Sequence, residues 1–333
     1  MIQLALVGCG KMGQQHAQEL GRTSGVEVVA LVDPVTSRTA DFRQKYFPEA
    51  KEYPGMEQML ADSSLKLDAA LLVTPHTVHF AQAKMALEHG LHVLVEKPMV
   101  TNSAAAYDLW KTVKATGKLL AIAYQSPYTD DFAYLADLRD SGKWGKVQTI
   151  SGYLSQNWMK GTAGTWRQDP QLSGGGQMYD SGAHLFNAVM WLMNDPVVEA
   201  GCFYDPCATP VDINGVAIAK FQNGALASFC IGGNCPPFRT DIQIQTDKML
   251  IFADQYGKRV EIYGSDGKKM ETKIAAGSEG QTPHANFVGA IAGREKLRAP
   301  VRYGVLLSAL MDAMYQSAHA RQIVSVNPVP LDI

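Results

Sequence analysis

Over the first third of the chain, apolar residues fall in short unbroken runs separated by longer amphipathic stretches. The runs are IQLALV (2–7), VEVVALVD (26–33), LDAALLVTP (67–75), LHVLVEKP (91–98) and LLAIAY (119–124). Unbroken runs of this length predict strands covered on both faces. Between them, KMGQQHAQEL, HTVHFAQAKMALEHG and SAAAYDLWKTVKATG carry helical spacing; His16, Ala17 and Leu20 sit on one face of the first. Strand and helix in alternation predict an α/β unit built on a doubly wound parallel sheet.

From about Tyr124 the texture changes. YTDDFAYLADLRDSGKWG predicts a helix. The strand-like runs that follow are VQTISGYLSQNW, VVEAGCFYD, VDINGVAIAKFQ, GALASFCIGG, TDIQIQT, KMLIFAD and KRVEIYG, punctuated by NG and DG turn signals. This predicts an α+β domain with a largely antiparallel open sheet of about six strands, one face of it flat. The expected domains are 1–123 and 124–333, with closing helices over about 284–322 packing back on the first.

Composition narrows the class. Lys plus Arg is 30 against 32 Asp plus Glu, a net charge of −2, so no basic patch argues for nucleic acid or an anionic membrane. No apolar run reaches membrane-spanning length. MIQLALVGCG has neither a basic leader nor a cleavage pattern, so the expected location is cytoplasmic. The five cysteines, Cys9, Cys202, Cys207, Cys230 and Cys235, are an odd set without accompanying histidines. They are expected to be reduced, mostly buried thiols, with no metal site.

Gly8, Gly10 and Gly13 form a G-x-G-x-x-G between the first run and the first helix. Gly8 allows the tight turn, Gly10 the approach of a pyrophosphate, and Gly13 close packing of helix on strand; the helix N-terminus offers N–H groups to phosphate. Asp33 lies 20 residues past Gly13, where a carboxylate can accept from a ribose diol. A carboxylate there favours NAD over NADP. Arg38 is close enough in sequence to reach a 2′-phosphate, and its other reading is a solvated helix-face cation, so NADP stays open. Gly10, Asp33, Thr74, Lys97 and Tyr124 all fall at carboxyl ends of predicted strands, where such sheets bind ligands.

In the second domain, GGGQMYDSGAH (174–184) runs three glycines into a predicted helix. The glycines can lie against a planar ligand such as a nicotinamide or a sugar ring. Asp180, His184, Asn187 and Trp191, at steps of four, three and four, predict one polar stripe facing a cleft, with Trp191 itself core. An imidazole titrates near working pH and suits a general base; a carboxylate one turn away can orient it. Lys97 interrupts an apolar run and precedes Pro98, whose peptide bond is expected to be cis.

These segments, in this order, resemble the glucose–fructose oxidoreductase / inositol 2-dehydrogenase / MocA family. VGCGKMG resembles its opening fingerprint, TPHTVHF its third-strand loop and HVLVEKP its Glu-Lys-Pro signature. TWRQDPQLSGGGQMYDSGAHLFNAVMWL and HANFVGAIAGREKLRAPVRYGVLLSALMDAMYQSA resemble its later signatures. The resemblance implies a Rossmann domain and Lys97, Asp180 and His184 as the catalytic group; Lys97 donates to the reacting oxygen, and either it or His184 accepts the proton. The cofactor candidates are Gly8, Gly10, Lys11, Met12, Gly13, Asp33, Arg38, Thr74, Pro75, His79, Glu96, Lys97, Gln125, Trp166 and Arg167. Tyr153, Asn157 and Tyr179 join the catalytic three as substrate candidates, offering polar tips to a polyol. The chain departs from the family at Leu91, Gln125-Ser126 and Asn187, which bears on the substrate rather than the fold.

The expected activity is oxidation of a secondary alcohol of a cyclic polyol (a sugar, a sugar derivative or an inositol) to a ketone by NAD. A glycosidase using transient NAD-dependent oxidation and a non-catalytic NAD-binding regulator are the alternatives. The resemblance also implies a homodimer or homotetramer through the flat sheet face.

Overall fold

The computed structural model describes residues 1–257, 259–274 and 281–326. Lys258, which opens the KRVEIYG run, and the last seven positions of the second-domain assignment lie outside them. In chain order the elements begin β1 (Ile2–Val7), α1 (Lys11–Arg22), β2 (Val26–Val32), α2 (Thr36–Lys45), β3 (Lys51–Tyr53), α3 (Met56–Ala61) and β4 (Ala69–Leu72). Next come α4 (His79–Glu88), β5 (His92–Val95), α5 (Ser103–Thr116), β6 (Leu120–Ile122), α6 (Asp130–Asp140), β7 (Val147–Ser155), α7 (Trp158–Gly161), α8 (Pro170–Ser173) and α9 (Gly182–Met193). The remainder are β8 (Val197–Asp205), β9 (Asn214–Phe221), β10 (Leu226–Gly232), β11 (Arg239–Thr246), β12 (Met249–Ala253), β13 (Val260–Gly264), α10 (Pro283–Ile291), α11 (Val301–Ala320) and β14 (Val324–Ser325).

The chain divides into two compact units. One takes Met1–Val100, Ala104–Ala123 and Thr282–Val301; the other takes Thr101–Ser103, Tyr124–Gln281 and Arg302–Ile333.

The first unit is a six-stranded sheet of order β3-β2-β1-β4-β5-β6, parallel throughout. Strands β4, β5 and β6 are buried on both faces nearly throughout, as their unbroken apolar runs require. Leu4, Leu6, Leu31, Leu71 and Leu94 form a core that Phe287 of α10 completes. Strand β3 escapes the sequence pattern because it is a three-residue edge strand, Lys-Glu-Tyr, with no buried position.

The second unit holds an eight-stranded sheet of order β13-β12-β11-β7-β10-β9-β8-β14. Its pairs are antiparallel except β7 with β10. The seven predicted runs all become strands, and β14, two residues long, adds an eighth that no period could reveal. Strict alternation in β9 and β10 separates two faces. One face packs on α9: a Cβ at Gly152 would sit 3.2 Å from the Leu185 side chain, and Phe186 meets Phe229 edge-on at 4.8 Å. The other face is open and carries Phe203, Val216, Ile218 and Leu226. Cys230 is exposed and only Cys9 and Cys202 are fully buried, which corrects the expectation of mostly buried thiols; all five are free. Alternation puts Cys230 out of the core, since Phe229 and Ile231 take the inward positions of β10. Among the described residues, no helix is long and apolar enough to cross a membrane.

Candidate active site

In the first unit the glycine motif lies in the turn from β1 to α1. Gly8 has φ +102°, and a Cβ there would run into the Val73 carbonyl. A Cβ on Gly13 would strike the Gly8 carbonyl, so helix and turn touch through main chain. Gly10 differs: nothing lies within 4 Å of its Cβ position, and it caps α1 without a side-chain partner. The open space is therefore at the helix N-terminus, where N–H groups and dipole favour phosphate. A cavity of about 260 Å³ beside it is lined by Cys9, Gly10, Lys11, Arg38, Lys45 and Tyr46, among others. Lys11 is exposed and Met12 half-buried in the first turn of α1.

Asp33 closes this site. Its Oδ2 accepts from Cys9 N–H at 2.9 Å and its Oδ1 from Val35 N–H at 2.9 Å. Arg38 Nη1 stands 3.7 Å from Oδ1, so this arginine is turned to Asp33 rather than simply solvated. Burial, with the Asp33 charge next, pushes the Cys9 thiol up to about 12, which makes it inert as a nucleophile. These features fit a dinucleotide: an unfilled glycine at a helix N-terminus, a fixed carboxylate one strand away and cations at the rim.

At the carboxyl end of β5, the Lys97–Pro98 bond is cis, as expected. Glu96 accepts from its neighbour's backbone, Lys97 N–H to Oε2 at 2.9 Å, and its Oε1 lies 2.8 Å from His16 Nε2. His16 Nδ1 in turn lies 2.8 Å from His284 Nε2. Burial, followed by the His16 charge, drives His284 down to about 3, so its ring is neutral. A chain from α10 through α1 to the strand end thus steadies the backbone at Lys97. Sequence reading treated His16 as packing and missed His284; no spacing links residues 268 positions apart.

His79 is corrected. It is fully buried, with Nδ1 2.8 Å from the Pro98 carbonyl and Nε2 2.8 Å from the Thr74 carbonyl. It ties the loops after β4 and β5 together and has no free edge for a cofactor. Both carbonyls favour a protonated ring, but burial outweighs them and lowers its pKa. Thr74 Oγ1 bonds Gln82, and Pro75 follows in the half-buried loop.

In the second unit the glycine run is also corrected. Only Gly174 has a positive φ, +73°. A Cβ there would lie 2.5 Å from Thr101 Cγ2, and one on Gly175 2.5 Å from the Tyr179 ring. One on Gly176 would overlap the Asp212 main chain. The side chains are missing because protein fills their space, not a ligand.

Asp212 organises this loop, and sequence reading passed over it. It is 3% exposed. Oδ1 accepts from Gly176 N–H at 2.7 Å and from the Tyr315 hydroxyl; Oδ2 accepts from Met178 N–H at 2.8 Å. Burial raises its pKa, and the bonds it accepts work against that. A lone acid before a strand carries no sequence signal for such a clamp. Tyr179 is drawn inward with the loop. Its ring stacks on Tyr315 at 5.6 Å and its hydroxyl donates to the Thr101 carbonyl, so its tip does not reach out as expected.

Asp180 lies two residues before α9 rather than in it. Its Oδ2 accepts from Trp158 Nε1 at 2.8 Å and from Arg167 Nε at 3.1 Å. Arg167 also lies over the Trp166 ring at 4.6 Å. Arg167 is thus turned onto the carboxylate, and Trp158, absent from the candidates, touches it where neighbouring Asn157 is exposed. His184 is half-buried in the first turn of α9, between the rings of Tyr124 at 6.4 Å and Tyr256 at 6.1 Å. The stripe ends there. Asn187 is fully buried, and Trp191 packs on Phe132 under Arg139 in the core. Gln125 is exposed just after Tyr124. Tyr153 is corrected: it stands on the open sheet face, since Gly152 and Leu154 take the face that packs on α9.

A parallel sheet whose first turn suits a dinucleotide, in a chain whose second unit carries Asp180 and His184, fits the class of dinucleotide-dependent oxidoreductases. The family comparison agrees with that reading. The oxidoreductase family with an NAD-binding Rossmann fold, Gfo/Idh/MocA, matches residues 2–124, and its C-terminal domain matches 132–269; the chain belongs to this family. It is 23% identical to the D-glucoside 3-dehydrogenase of Escherichia coli, over 95% of each chain. It is 26% identical to the inositol 2-dehydrogenase of Salmonella typhimurium, over 58% of this chain and 55% of that one. The WlbA dehydrogenase of Bordetella pertussis, solved with NADH and UDP-GlcNAcA, has the same fold, with a TM-score of 0.86, 21% identity and 99% and 98% of the two chains covered.

Proposed function

We propose that this chain oxidises a secondary hydroxyl of a cyclic polyol, a sugar, sugar derivative or inositol, to a ketone. The observation that carries the reading is a half-buried imidazole, His184, following a carboxylate fixed by two donors, Trp158 and Arg167. NAD, when bound, supplies the hydride acceptor; Gly8, Gly10, Lys11, Met12, Gly13 and Asp33 would hold it. His184 accepts the hydroxyl proton. Asp180, held by its two donors, stabilises the imidazolium that results. Lys97 donates a hydrogen bond to the substrate oxygen as charge develops there. Its backbone is held by Glu96, which His16 holds in turn, and this fixes the point from which the side chain extends.

The test is a panel of inositols and sugars read by NADH absorbance. Lys97→Ala should cost at least about a hundredfold in turnover and leave NADH affinity nearly unchanged. Near wild-type turnover in that variant contradicts the assignment.

The open face of the second unit's sheet supports a homo-oligomer, a dimer or tetramer. Phe203 is 74% exposed there, and Ile218, Leu226 and Ile323 line a groove of about 560 Å³. Ile218→Glu should shift sedimentation toward the monomer; a wild type that already sediments as a monomer contradicts this assembly.

A further inference from the structure

Three titratable side chains of the first unit meet at the strand end that bears Lys97, and the reaction proposed above gives a chemical step to none of them. His16 comes from α1, Glu96 from the position after β5 and His284 from the first turn of α10. Both histidines are buried. Each imidazole has two nitrogens, and which of them carries the proton decides what it donates and what it accepts.

His284 settles the assignment. Its Nε2 lies 2.8 Å from His16 Nδ1, with the rings edge-on at 65°. Its Nδ1 is buried and has no hydrogen-bond partner among the described residues. Burial drives its pKa down to about 3, so the ring holds one proton. On Nδ1 that proton would be a buried donor with no acceptor, which folded proteins rarely tolerate; an unused lone pair there is the lesser cost. The proton therefore sits on Nε2 and is donated to His16 Nδ1. Since that nitrogen accepts, the His16 proton is on its own Nε2, where it is donated to Glu96 Oε1 at 2.8 Å. Glu96 Oε2 accepts from Lys97 N–H at 2.9 Å. Every donor in the array thus points toward the Glu96 carboxylate.

We infer that His284 and His16 are positioning residues for Lys97: His284 selects the His16 tautomer that donates to Glu96, and the carboxylate so held fixes the main chain from which the lysine extends. The inference rests on the proposal that Lys97 donates to the reacting oxygen. Without the His284 donor, His16 is released to carry its proton on Nδ1, which turns a bare lone pair on Nε2 toward a carboxylate that repels it. Glu96 then loses its side-chain donor, and the Lys97 main chain loses its fixed geometry. Neither ring exchanges a proton during turnover; the effect is one of position.

The test has two readouts on the full chain. The first is the 15N NMR spectrum of protein labelled at histidine, which separates protonated from unprotonated ring nitrogens; His284→Leu and His16→Leu identify the two rings. Both should carry one proton, on Nε2, and in His284→Leu the His16 ring should lose that unmixed pattern. The second readout is turnover on the best polyol of the panel. His284→Leu should lower kcat about tenfold with KM for NAD unchanged, and His16→Leu, which removes the Glu96 donor directly, should do the same. His284→Gln, whose amide can donate to His16 Nδ1, should restore most of the loss. In a Lys97→Ala background, His284→Leu should cost nothing further. A proton on Nδ1 of either wild-type ring, a wild-type kcat in either leucine variant, a His284→Gln as slow as His284→Leu, or losses that multiply with that of Lys97→Ala each overturns the positioning role. Near wild-type turnover in Lys97→Ala alone, or no turnover on any polyol, overturns the functional reading and the positioning role with it, and leaves the tautomer assignment standing.

Discussion

Two glycine-rich turns, Gly8–Gly13 and Gly174–Gly176, look alike as text and differ in what surrounds them. In the first, Gly8 and Gly13 are required by main-chain contacts while Gly10 faces empty space. In the second, every missing side chain would collide with the protein itself, with Thr101, Tyr179 or Asp212. One turn is built to admit something; the other is built to be held. The held turn delivers Asp180 to Trp158 and Arg167 and starts the helix that bears His184. A glycine run near candidate catalytic residues is therefore no sign of ligand contact until its neighbours are known.

The comparison breaks most visibly at Gly176. Gly176→Ala should cost about 3 kcal/mol or more, because a methyl group against Asp212 main chain cannot be relieved by a rotamer change. Gly10→Ala should leave the urea midpoint within about 1 kcal/mol of wild type yet weaken NADH binding at least about tenfold. Equal stability losses in the two variants contradict the distinction. A smaller effect is expected at the clamp. Asp212→Asn keeps the shape but turns an amide N–H₂ toward Gly176 N–H or Met178 N–H, costing about 2 kcal/mol. Amide hydrogen exchange should accelerate at those two residues; unchanged protection there removes Asp212 from the account.

The smallest effect per step is a pH slope in the first unit, read per pH unit. His284 has its folded pKa lowered from 6.5 to about 3 by burial, and that of His79 is lowered for the same reason. Their contribution is complete above 6.5. As pH falls below it, the unfolded chain takes up protons that the folded unit refuses. Stability should decline by up to about 1.4 kcal/mol per pH unit for each histidine until the folded pKa is passed. His284→Asn should flatten the urea midpoint between about pH 6.5 and 4; an unaltered slope argues that His284 is not held neutral.

The parallel sheet was legible because buried strands need unbroken apolar runs, and the first turn because its glycines stand at fixed offsets from a strand, a helix and Asp33. Helical spacing also put His184 near the start of a helix, which is the first turn of α9. The same periodicity misled at Asn187, which is fully buried, and at Asp180, which precedes the helix. Spacing gives angular position only within a helix and says nothing of what covers it. The contacts that organise the site, Asp212 to Gly176 across 36 residues and His16 to His284 across 268, join positions with no shared local pattern. Tyr153 was misplaced for a simpler reason: in a strand, one position decides which face a side chain takes.

The central proposal is that Lys97 and His184 act on one hydroxyl while NAD accepts the hydride. A double-mutant cycle tests it most directly, with Lys97→Ala, His184→Ala and the double variant compared in single-turnover NADH formation on the best polyol of the panel. The account predicts losses of at least about a hundredfold in each single variant and a double variant scarcely slower than the worse single one, as for groups that work as a unit. Losses that multiply independently, or a single variant with near wild-type turnover, would contradict it.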